Sequence, residues 1–255
     1  MSRLAEERAI LLLAVQFLTR LPVRDAALYT PGRMAAVPRY FPLVGVLVGG
    51  LMAAAWWLAS LVLPPVIAAL VAVAAGLLLT GAFHEDGFAD ACDGLGGGTT
   101  RTQALEIMRD SRLGTYGAAG LGLMLAARVA GLAALPLPLV PAVLVAGQAL
   151  SRASAVAAII GADYVRDHGT AKPIHEGVDG TSRIFVLVTA VAVTVAAALF
   201  LPLHALAGGL GGLVLGHVAM RAIYQRKLGG YTGDCLGAVQ QCSEIGFLLG
   251  LLACL

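Results

Sequence analysis

Seven apolar runs constrain the fold of this chain more than any other feature, because each is long or nearly long enough to cross a bilayer. A membrane-spanning helix needs roughly 20 apolar residues. The runs therefore predict an all-α protein, a polytopic membrane helix bundle with about seven transmembrane helices, in which the second run is marginal and the last is short. They lie at about 43–63, 66–83, 118–135, 139–161, 184–203, 206–223 and 244–255.

Composition supports a membrane location and argues against several other classes of protein. Hydrophobic residues make up 59% of the chain and charged residues 13%, whereas soluble domains carry roughly 25% charged residues. The 32 glycines suit close packing of helices. A net charge of +2 gives no argument for a nucleic-acid partner. The four cysteines lack the spacing of a zinc site, and a membrane bundle needs no disulfides.

The positions of the charged residues divide the connecting loops into two kinds. Short connectors that contain proline and lack Lys and Arg lie at 63–65, 135–138 and 201–204. The N-terminal arm and three longer loops hold nearly all of the Lys and Arg, and these loops are 84–117, 162–183 and 221–243. Passing the chain through seven spans places every charged loop on one face, which the positive-inside rule assigns to the cytoplasm.

The N-terminal stretch 8–18 differs from the seven runs because it is short and is followed by arginines. It predicts an N-terminal interfacial or re-entrant helix rather than an eighth span. No internal repeat or low-complexity linker divides the chain. We therefore expect a single integral-membrane domain over residues 1–255.

An acidic stretch directly follows the second apolar run. Steps of four and three residues place Asp86, Asp90 and Asp93 on one stripe of a helix. Three like charges at this spacing repel, and their neighbours are Gly, Ala and Phe rather than Lys or Arg. Mg²⁺ supplies a reason for the stripe, because it prefers oxygen ligands and partners phosphate oxygens. The stretch predicts metal-dependent phosphoryl chemistry at a membrane surface, with His84 as an adjoining hydrogen-bond partner or base.

A second polar stretch precedes the third apolar run. Arg109, Ser111 and Arg112 surround Asp110 just before a glycine-rich segment. Arginine side chains suit phosphate oxygens because their donors form a planar fork. The stretch therefore predicts a phosphate clamp, in which Asp110 completes a metal site or orients a hydroxyl. The alternative is an ordinary positive-inside anchor.

Further polar residues lie in or beside later spans. Arg152 continues a polar stripe with Gln148 in the fourth run, and it either meets the aspartates or a phosphate, or extends to the membrane surface. Thr232, Gly233 and Asp234 stand in a glycine-rich loop ahead of a helix, whose backbone N–H groups suit an anion.

Two other stretches leave alternatives open. Glu244 adds a carboxylate to the metal region or caps the last helix. The charged loop 162–183 is either a lid over a polar substrate or a solvated loop.

Taken together, five stretches of this chain resemble the cobalamin synthase family, also called the adenosylcobinamide-GDP ribazoletransferase family. They run in order along the whole chain, at 17–23, 40–45, 81–94, 106–117 and 228–238. The resemblance implies the last assembly step of the vitamin B12 nucleotide loop. A ribazole hydroxyl attacks the cobinamide-side phosphate of adenosylcobinamide-GDP, GMP leaves, and Mg²⁺ bridges the phosphates. It also implies a transferase of the cytoplasmic (inner) membrane of a prokaryote.

On this resemblance the candidate residues receive roles, written here as expectations. Asp93, Asp110 and His84 are the alternatives for the base that takes the ribazole proton. Metal ligands are expected at Asp86, Asp90, Asp93 and Glu244, and substrate contacts at Arg109, Ser111, Arg112, Arg152, Thr232, Gly233 and Asp234. The expected partners are adenosylcobinamide-GDP, α-ribazole or α-ribazole 5′-phosphate, and the lipid bilayer, with no nucleic acid. The oligomeric state, including a homo-oligomer, stays open.

Two positions depart from the family pattern. Glu85 occupies a position where other members have an apolar residue, so we expect no ligand role there. Gln241 replaces a carboxylate seen in some relatives. We therefore expect Glu244, rather than residue 241, to be the metal ligand in the last part of the chain.

Two other classes of protein solve related problems. The CDP-alcohol phosphotransferases use several aspartates on a helix, but with Gly and Asp positions that residues 92–98 do not reproduce. A secondary transporter would use Asp and Arg as coupling residues near the bilayer midplane. In this chain the carboxylates instead cluster at a membrane edge, which favours the enzyme.

Overall fold

The fold is built from helices, as the apolar runs predict. A computed structural model describes residues 3–23, 26–166, 174 and 178–255 of the chain. In chain order the helices are α1 (Arg3–Leu18), α2 (Pro31–Ala36), α3 (Phe41–Ser60), α4 (Pro65–Thr80), α5 (Phe83–Gly97), α6 (Arg101–Ile107), α7 (Thr115–Ala134), α8 (Val140–Ile159), α9 (Gly180–Ala198), α10 (Leu203–Leu228) and α11 (Gly233–Leu252).

Among the described residues, six helical segments are long and apolar enough to cross a membrane, and α4 together with α5 makes a seventh when the bent pair is counted as one span. The all-α polytopic bundle is therefore confirmed. The last apolar run, 244–255, is only the second half of α11, whose first turns carry polar residues. The six segments are Pro31–Ser60, Thr115–Ala134, Leu137–Ile159, Gly180–Ala198, Leu203–Leu228 and Gly233–Leu252.

The N-terminal helix α1 has 16 residues and is shorter than a spanning helix. Ion pairs attach it to the segment that leads into α3. Glu6 pairs with Arg33 at 2.8 Å and Glu7 pairs with Arg39 at 2.9 Å. The Tyr40 hydroxyl also donates to Glu7, at 2.8 Å. These contacts hold the first turns of α1 against the bundle, and Phe17 and Leu18 lie at the other end of the helix.

The centre and the periphery of the bundle differ in burial. Helix α8 is buried along most of its length, whereas only Ser182 and Ala197 are buried within α9. Helices α10 and α11 approach so closely that a Cβ atom on Gly212 would collide with the backbone carbonyl of Gly246. Small residues allow this approach, as is common between membrane helices.

A sharp turn joins α4 to α5, and the two helices are bent by 91°. Gly81 and Ala82 are both left-handed, with φ of 67° and 58°, and the N–H of Ala82 donates to Leu77 O at 2.9 Å. Glycine adopts this conformation freely, whereas Ala82 adopts it at a cost of roughly 1–2 kcal/mol. The turn ends α4 and aims the acidic helix α5 toward α7 and α11.

A short backbone pairing joins two loops at the start of α11. Tyr164 and Tyr231 form an isolated parallel bridge, with Val165 N–H donating to Tyr231 O at 3.0 Å and Tyr231 N–H donating to Asp163 O at 2.9 Å. The pairing holds the loop that follows α8 beside the N-terminus of α11. Residues 163–166 are consequently brought to the acidic helix.

Candidate active site

Three carboxylates from two helices face one another. Asp86 and Asp90 lie one turn apart on α5, and Asp234 lies in the first turn of α11. The negative charges of Asp234, Asp86 and Asp93 all act on Asp90, which is half-buried. Like charges in a partly buried place raise the free energy of the folded protein unless a cation joins them. Helix α5 thus carries Asp86 and Asp90 one turn apart, and Asp234 of α11 adds a third carboxylate.

A pocket of about 250 Å³ opens beside these carboxylates. It brings together residues that are far apart in the chain, including five of the predicted site residues, and four of these contribute side chains. These are His84 and Asp86 of α5, Arg152 of α8, and Asp234 of α11. Gly233 lines the same pocket at the N-terminus of α11, where backbone N–H groups favour an anion. Another part of the lining is apolar, and we call it the apolar end of the pocket; it carries Phe17, Leu18, Phe41 and Ile159.

Arg152 is the cation of this pocket, and it is 1% exposed. Its Nη1 donates to the Gln148 carbonyl at 2.9 Å and to Gln148 Oε1 at 2.5 Å. Its Nε is buried and has no hydrogen-bond partner among the described residues. Buried polar groups are nearly always hydrogen-bonded, so an unpartnered guanidinium donor in a pocket indicates a missing acceptor. Of the two alternatives that the sequence left open for Arg152, the structure has the one in which the side chain lines a pocket with Asp86 and Asp234 rather than extending to the membrane surface.

A network of buried polar side chains lies deeper in the bundle. Arg128, 4% exposed, pairs with Glu85 at 3.0 Å and with Glu244 at 2.6 Å. Gln241 accepts from Arg128 at 3.2 Å and donates to Glu85 at 3.1 Å. The Gln148 amide donates to Glu244 at 2.6 Å, which links the network to Arg152. Glu244 is thus placed as a counter-charge of Arg128, and it is not among the residues that line the pocket with Asp86 and Asp234.

Asp93 lies one turn beyond Asp90, but its carboxylate is engaged elsewhere. It accepts the backbone N–H groups of Gly114 at 2.7 Å and of Gly117 at 2.8 Å. Both N–H groups lie at the start of α7. Its N-cap residue, Gly114, has no side chain that could accept a hydrogen bond from them. Asp93 therefore fixes the N-terminus of α7 against α5. The sequence indicated its helix face correctly but gave no sign of these two donors.

The predicted phosphate clamp is not brought to the pocket. Arg112 pairs with Asp110 at 2.6 Å, and its side chain is 87% exposed. Hydrogen bonds from Arg112 lower the pKa of Asp110 to about 2, which makes this carboxylate a poor base. Arg109 and Ser111 are also exposed. Within the described lining of the pocket, no residue comes from 109–112.

Thr232 has a capping role in the structure. It is fully buried, and its hydroxyl accepts the N–H of Cys235 at 3.3 Å, which caps α11. The cap sets the direction of the helix whose next two residues, Gly233 and Asp234, line the pocket.

The sequence analysis did not single out Arg166. This residue pairs with Asp234 at 2.7 Å and also donates to the carbonyl of Met108 at 3.4 Å. Only the pairing of Tyr164 with Tyr231 brings it there, so no local pattern could have identified it. Other charged residues of the same loop lie outside the described residues, as do residues 167–173 and 175–177 of the predicted lid in general; these charged residues are Asp167, His168, Lys172, His175 and Glu176.

The donor set fits Mg²⁺ better than a metal that needs a complete protein cage. In the part of the chain that the structure describes, no three His, Cys, Asp or Glu side chains are arranged to hold a metal ion by themselves. Mg²⁺ keeps several waters and is bound by one or two carboxylates together with substrate phosphates. The carboxylates of Asp86, Asp90 and Asp234, with the unpartnered donor of Arg152 nearby, match such a shared site.

Comparison with known proteins gives matches over almost the whole chain. The adenosylcobinamide-GDP ribazoletransferase of Leptothrix cholodnii is 43% identical over 262 residues, covering 99% of this chain and 98% of that protein. The enzymes of the same name from Shewanella frigidimarina and Ralstonia pickettii are 43% and 40% identical, covering 94% and 99% of this chain and 92% and 98% of those proteins. No solved structure matches the chain.

The family comparison agrees with these relatives and with the resemblance inferred from the five sequence stretches. A sequence model of cobalamin-5-phosphate synthase matches residues 10–252. Together with the buried arginine, the acidic stripe and the polytopic bundle, these matches show that the chain belongs to the cobalamin-5-phosphate synthase family.

Proposed function

We propose that this enzyme joins α-ribazole, or its 5′-phosphate, to adenosylcobinamide-GDP and releases GMP. The product is adenosylcobalamin or its 5′-phosphate. One observation carries the proposal beyond the family name: a single pocket places the acidic residues Asp86 and Asp234 beside Arg152, which is buried and has an unpartnered donor. This combination suits a magnesium-bound pyrophosphate, because the anion needs both a metal held by carboxylates and direct cationic donors.

The cluster of Asp86, Asp90 and Asp234 is the proposed Mg²⁺ site, in which one or two of these carboxylates bind the ion and water and substrate phosphates supply its other ligands. Bound Mg²⁺ supplies charge neutralisation on the phosphate oxygens. Asp93 and Glu244, which were also expected to bind the metal, enter this proposal as positioning residues. Asp93 anchors α7 through Gly114 and Gly117, and Glu244 anchors Gln148.

The remaining pocket residues have proposed roles in the transfer. Arg152 donates from Nε to a phosphate oxygen, and the N-terminus of α11 adds a backbone donor at Gly233. The ribazole hydroxyl oxygen forms a bond to the cobinamide-side phosphorus while the bond to GMP breaks. His84 accepts the hydroxyl proton, because of the three base candidates it alone lines the pocket. Arg166 holds Asp234 in place.

The orientation in the membrane is part of the proposal. The starts of α7 and α11 lie beside the acidic helix, since Gly117 contacts Asp93 and Asp234 acts on Asp90. Both starts follow loops rich in Lys and Arg. The positive-inside rule supports an active site that faces the cytoplasm, in the inner membrane of a prokaryote.

The direct test uses purified protein in lipid nanodiscs with adenosylcobinamide-GDP, α-ribazole and Mg²⁺. We expect stoichiometric release of GMP and formation of a cobalamin, with both lost when Mg²⁺ is removed by a chelator. A parallel reaction with α-ribazole 5′-phosphate identifies the preferred acceptor. Asp86→Asn should abolish turnover, and Asp163→Asn, which changes an exposed carboxylate of a nearby loop, should not. The absence of GMP release by folded wild-type protein would contradict the proposal.

A further inference from the structure

We infer that the apolar end of the active-site pocket is the subsite for the benzimidazole ring of ribazole. This inference rests on the proposed function and assigns one part of one substrate to one part of the pocket. Phe17 of α1, Phe41 of α3 and Phe83 of α5 all line the pocket. The rings of Phe17 and Phe41 are stacked with centroids 6.0 Å apart, and those of Phe17 and Phe83 meet edge to face at 5.3 Å.

The two substrates carry three large groups, which are a corrin ring, a guanine and a dimethylbenzimidazole. The lining of the apolar end indicates which of them binds there. A corrin ring is too large for a pocket of about 250 Å³. Guanine has a polar edge that must be hydrogen-bonded when it is buried, at a cost of several kcal/mol otherwise. The aromatic end offers Phe17, Leu18, Phe41 and Ile159, which have no polar side-chain atoms. Dimethylbenzimidazole is flat, aromatic and apolar at its methylated edge, and it fits this lining.

The position of the subsite also suits the reaction. Phe83 and His84 are consecutive residues, and their rings meet edge to face at 5.3 Å. A base held against Phe83 therefore places the attached ribose beside His84, the proposed proton acceptor. The phosphates then lie beyond the ribose, toward Asp86 and Arg152, which line the same pocket. In this arrangement the phenylalanines contact the base, His84 lies at the ribose hydroxyl, and the acidic cluster lies at the attacked phosphate.

The subsite gives the N-terminal helix a part in substrate binding. Helix α1 brings Phe17 and Leu18 to the pocket, and both side chains pack against the core. The ion pairs of Glu6 and Glu7 with Arg33 and Arg39 hold the helix in that place. The wall of the subsite is thus made by a helix that is too short to span the membrane, together with the starts of two others.

Phe17→Ala and the milder Phe17→Leu test the inference through separate kinetic constants for the two substrates. Aromatic contacts of this kind correspond to roughly three- to tenfold in affinity. We expect the KM for α-ribazole to rise about tenfold in Phe17→Ala and less in Phe17→Leu. The KM for adenosylcobinamide-GDP should change less than about twofold. Phe200→Ala, at an exposed position after α9, is the matched control and should change neither constant.

A series of ribosides provides the second readout. Wild-type protein should prefer dimethylbenzimidazole over unsubstituted benzimidazole, and Phe17→Ala should reduce this preference because the wall against the ring is lost. Equal increases in both KM values, or an unchanged KM for α-ribazole in a folded Phe17→Ala protein, would overturn the inference. Either result leaves wild-type GMP release intact, so it differs from a failure of the proposed function. Size-exclusion and thermal unfolding profiles verify folding.

Discussion

The acidic cluster at the pocket and the buried network around Arg128 both contain carboxylates and an arginine. They differ in how far the opposite charges compensate one another. Arg128 has two carboxylate partners and a glutamine within 3.2 Å, so its charge is balanced inside the protein. Asp86, Asp90 and Asp234 instead repel one another, and Arg166 pairs with only the last of them. Charged residues among membrane helices can therefore form a scaffold or a site, and the balance of charge distinguishes the two.

The largest effect on activity is expected from Asp90→Ala, which removes one carboxylate from the acidic cluster. Loss of a metal ligand should reduce GMP release roughly a thousandfold or more, because charge neutralisation by the metal is worth several kcal/mol. Stability without Mg²⁺ should stay the same or increase, because a repelling charge is removed. Thermal unfolding with and without Mg²⁺ checks this. A stabilising effect of Mg²⁺ on the variant as large as on wild type would contradict the metal assignment.

Arg128→Leu removes the cation of the buried network and should lower the stability of the protein. Removing the cation leaves Glu85 and Glu244 buried without their partner, and breaking a buried pair costs about 3–5 kcal/mol. Unfolding in detergent and the yield of folded protein measure the loss. Arg128→Leu combined with Glu85→Gln should recover part of it. A fully stable single variant would show that the network does not support the fold.

Asp93→Ala sharpens the comparison, because Asp93 lies on the acidic helix α5 but accepts two backbone N–H groups of α7. Losing the acceptor for Gly114 and Gly117 should cost about 1–3 kcal/mol of stability. Activity should fall through displacement of α7, while the affinity for Mg²⁺ is retained. Asp93→Asn keeps one acceptor oxygen and should recover part of the stability. Loss of Mg²⁺ binding in a folded Asp93→Ala protein would instead identify Asp93 as a ligand, as the sequence alone suggests.

Arg112→Ala should have the smallest effect. The ion pair with Asp110 is exposed, and exposed pairs contribute little to stability. No change in the unfolding temperature is expected, and the pKa of Asp110 should rise toward its ordinary value when the guanidinium is removed. Nuclear magnetic resonance of the carboxyl carbon follows that pKa. The same variant tests the predicted phosphate clamp, since a large rise in the KM for adenosylcobinamide-GDP would indicate that this segment reaches the substrate.

Sequence patterns predicted those features that depend on residues close together in the chain. The apolar runs identified the helical bundle, and the spacing of Asp86 and Asp90 predicted a helix with both carboxylates one turn apart, as in α5. Hydropathy recognised only the second half of α11, because its first turns are polar and include Asp234, whereas the glycine-rich loop ahead of a helix indicated its start.

Roles that depend on distant partners could not be predicted in this way. The donors to Asp93 come from α7, the cation beside Glu244 comes from the middle of the same helix, and Arg166 reaches Asp234 only through a loop pairing. In each case the residue type was visible in the sequence but its partner was not.

The shallow packing of α9 has a consequence for how this protein adapts to different hosts. All but two of its residues are exposed or only partly buried, whereas the pocket is made by α1, α3, α5, α8 and α11. Substitutions that adjust the protein to a thicker, thinner or colder lipid environment can therefore accumulate on α9 without displacing a reacting atom. We expect lineages that live at different temperatures to diverge most along this helix.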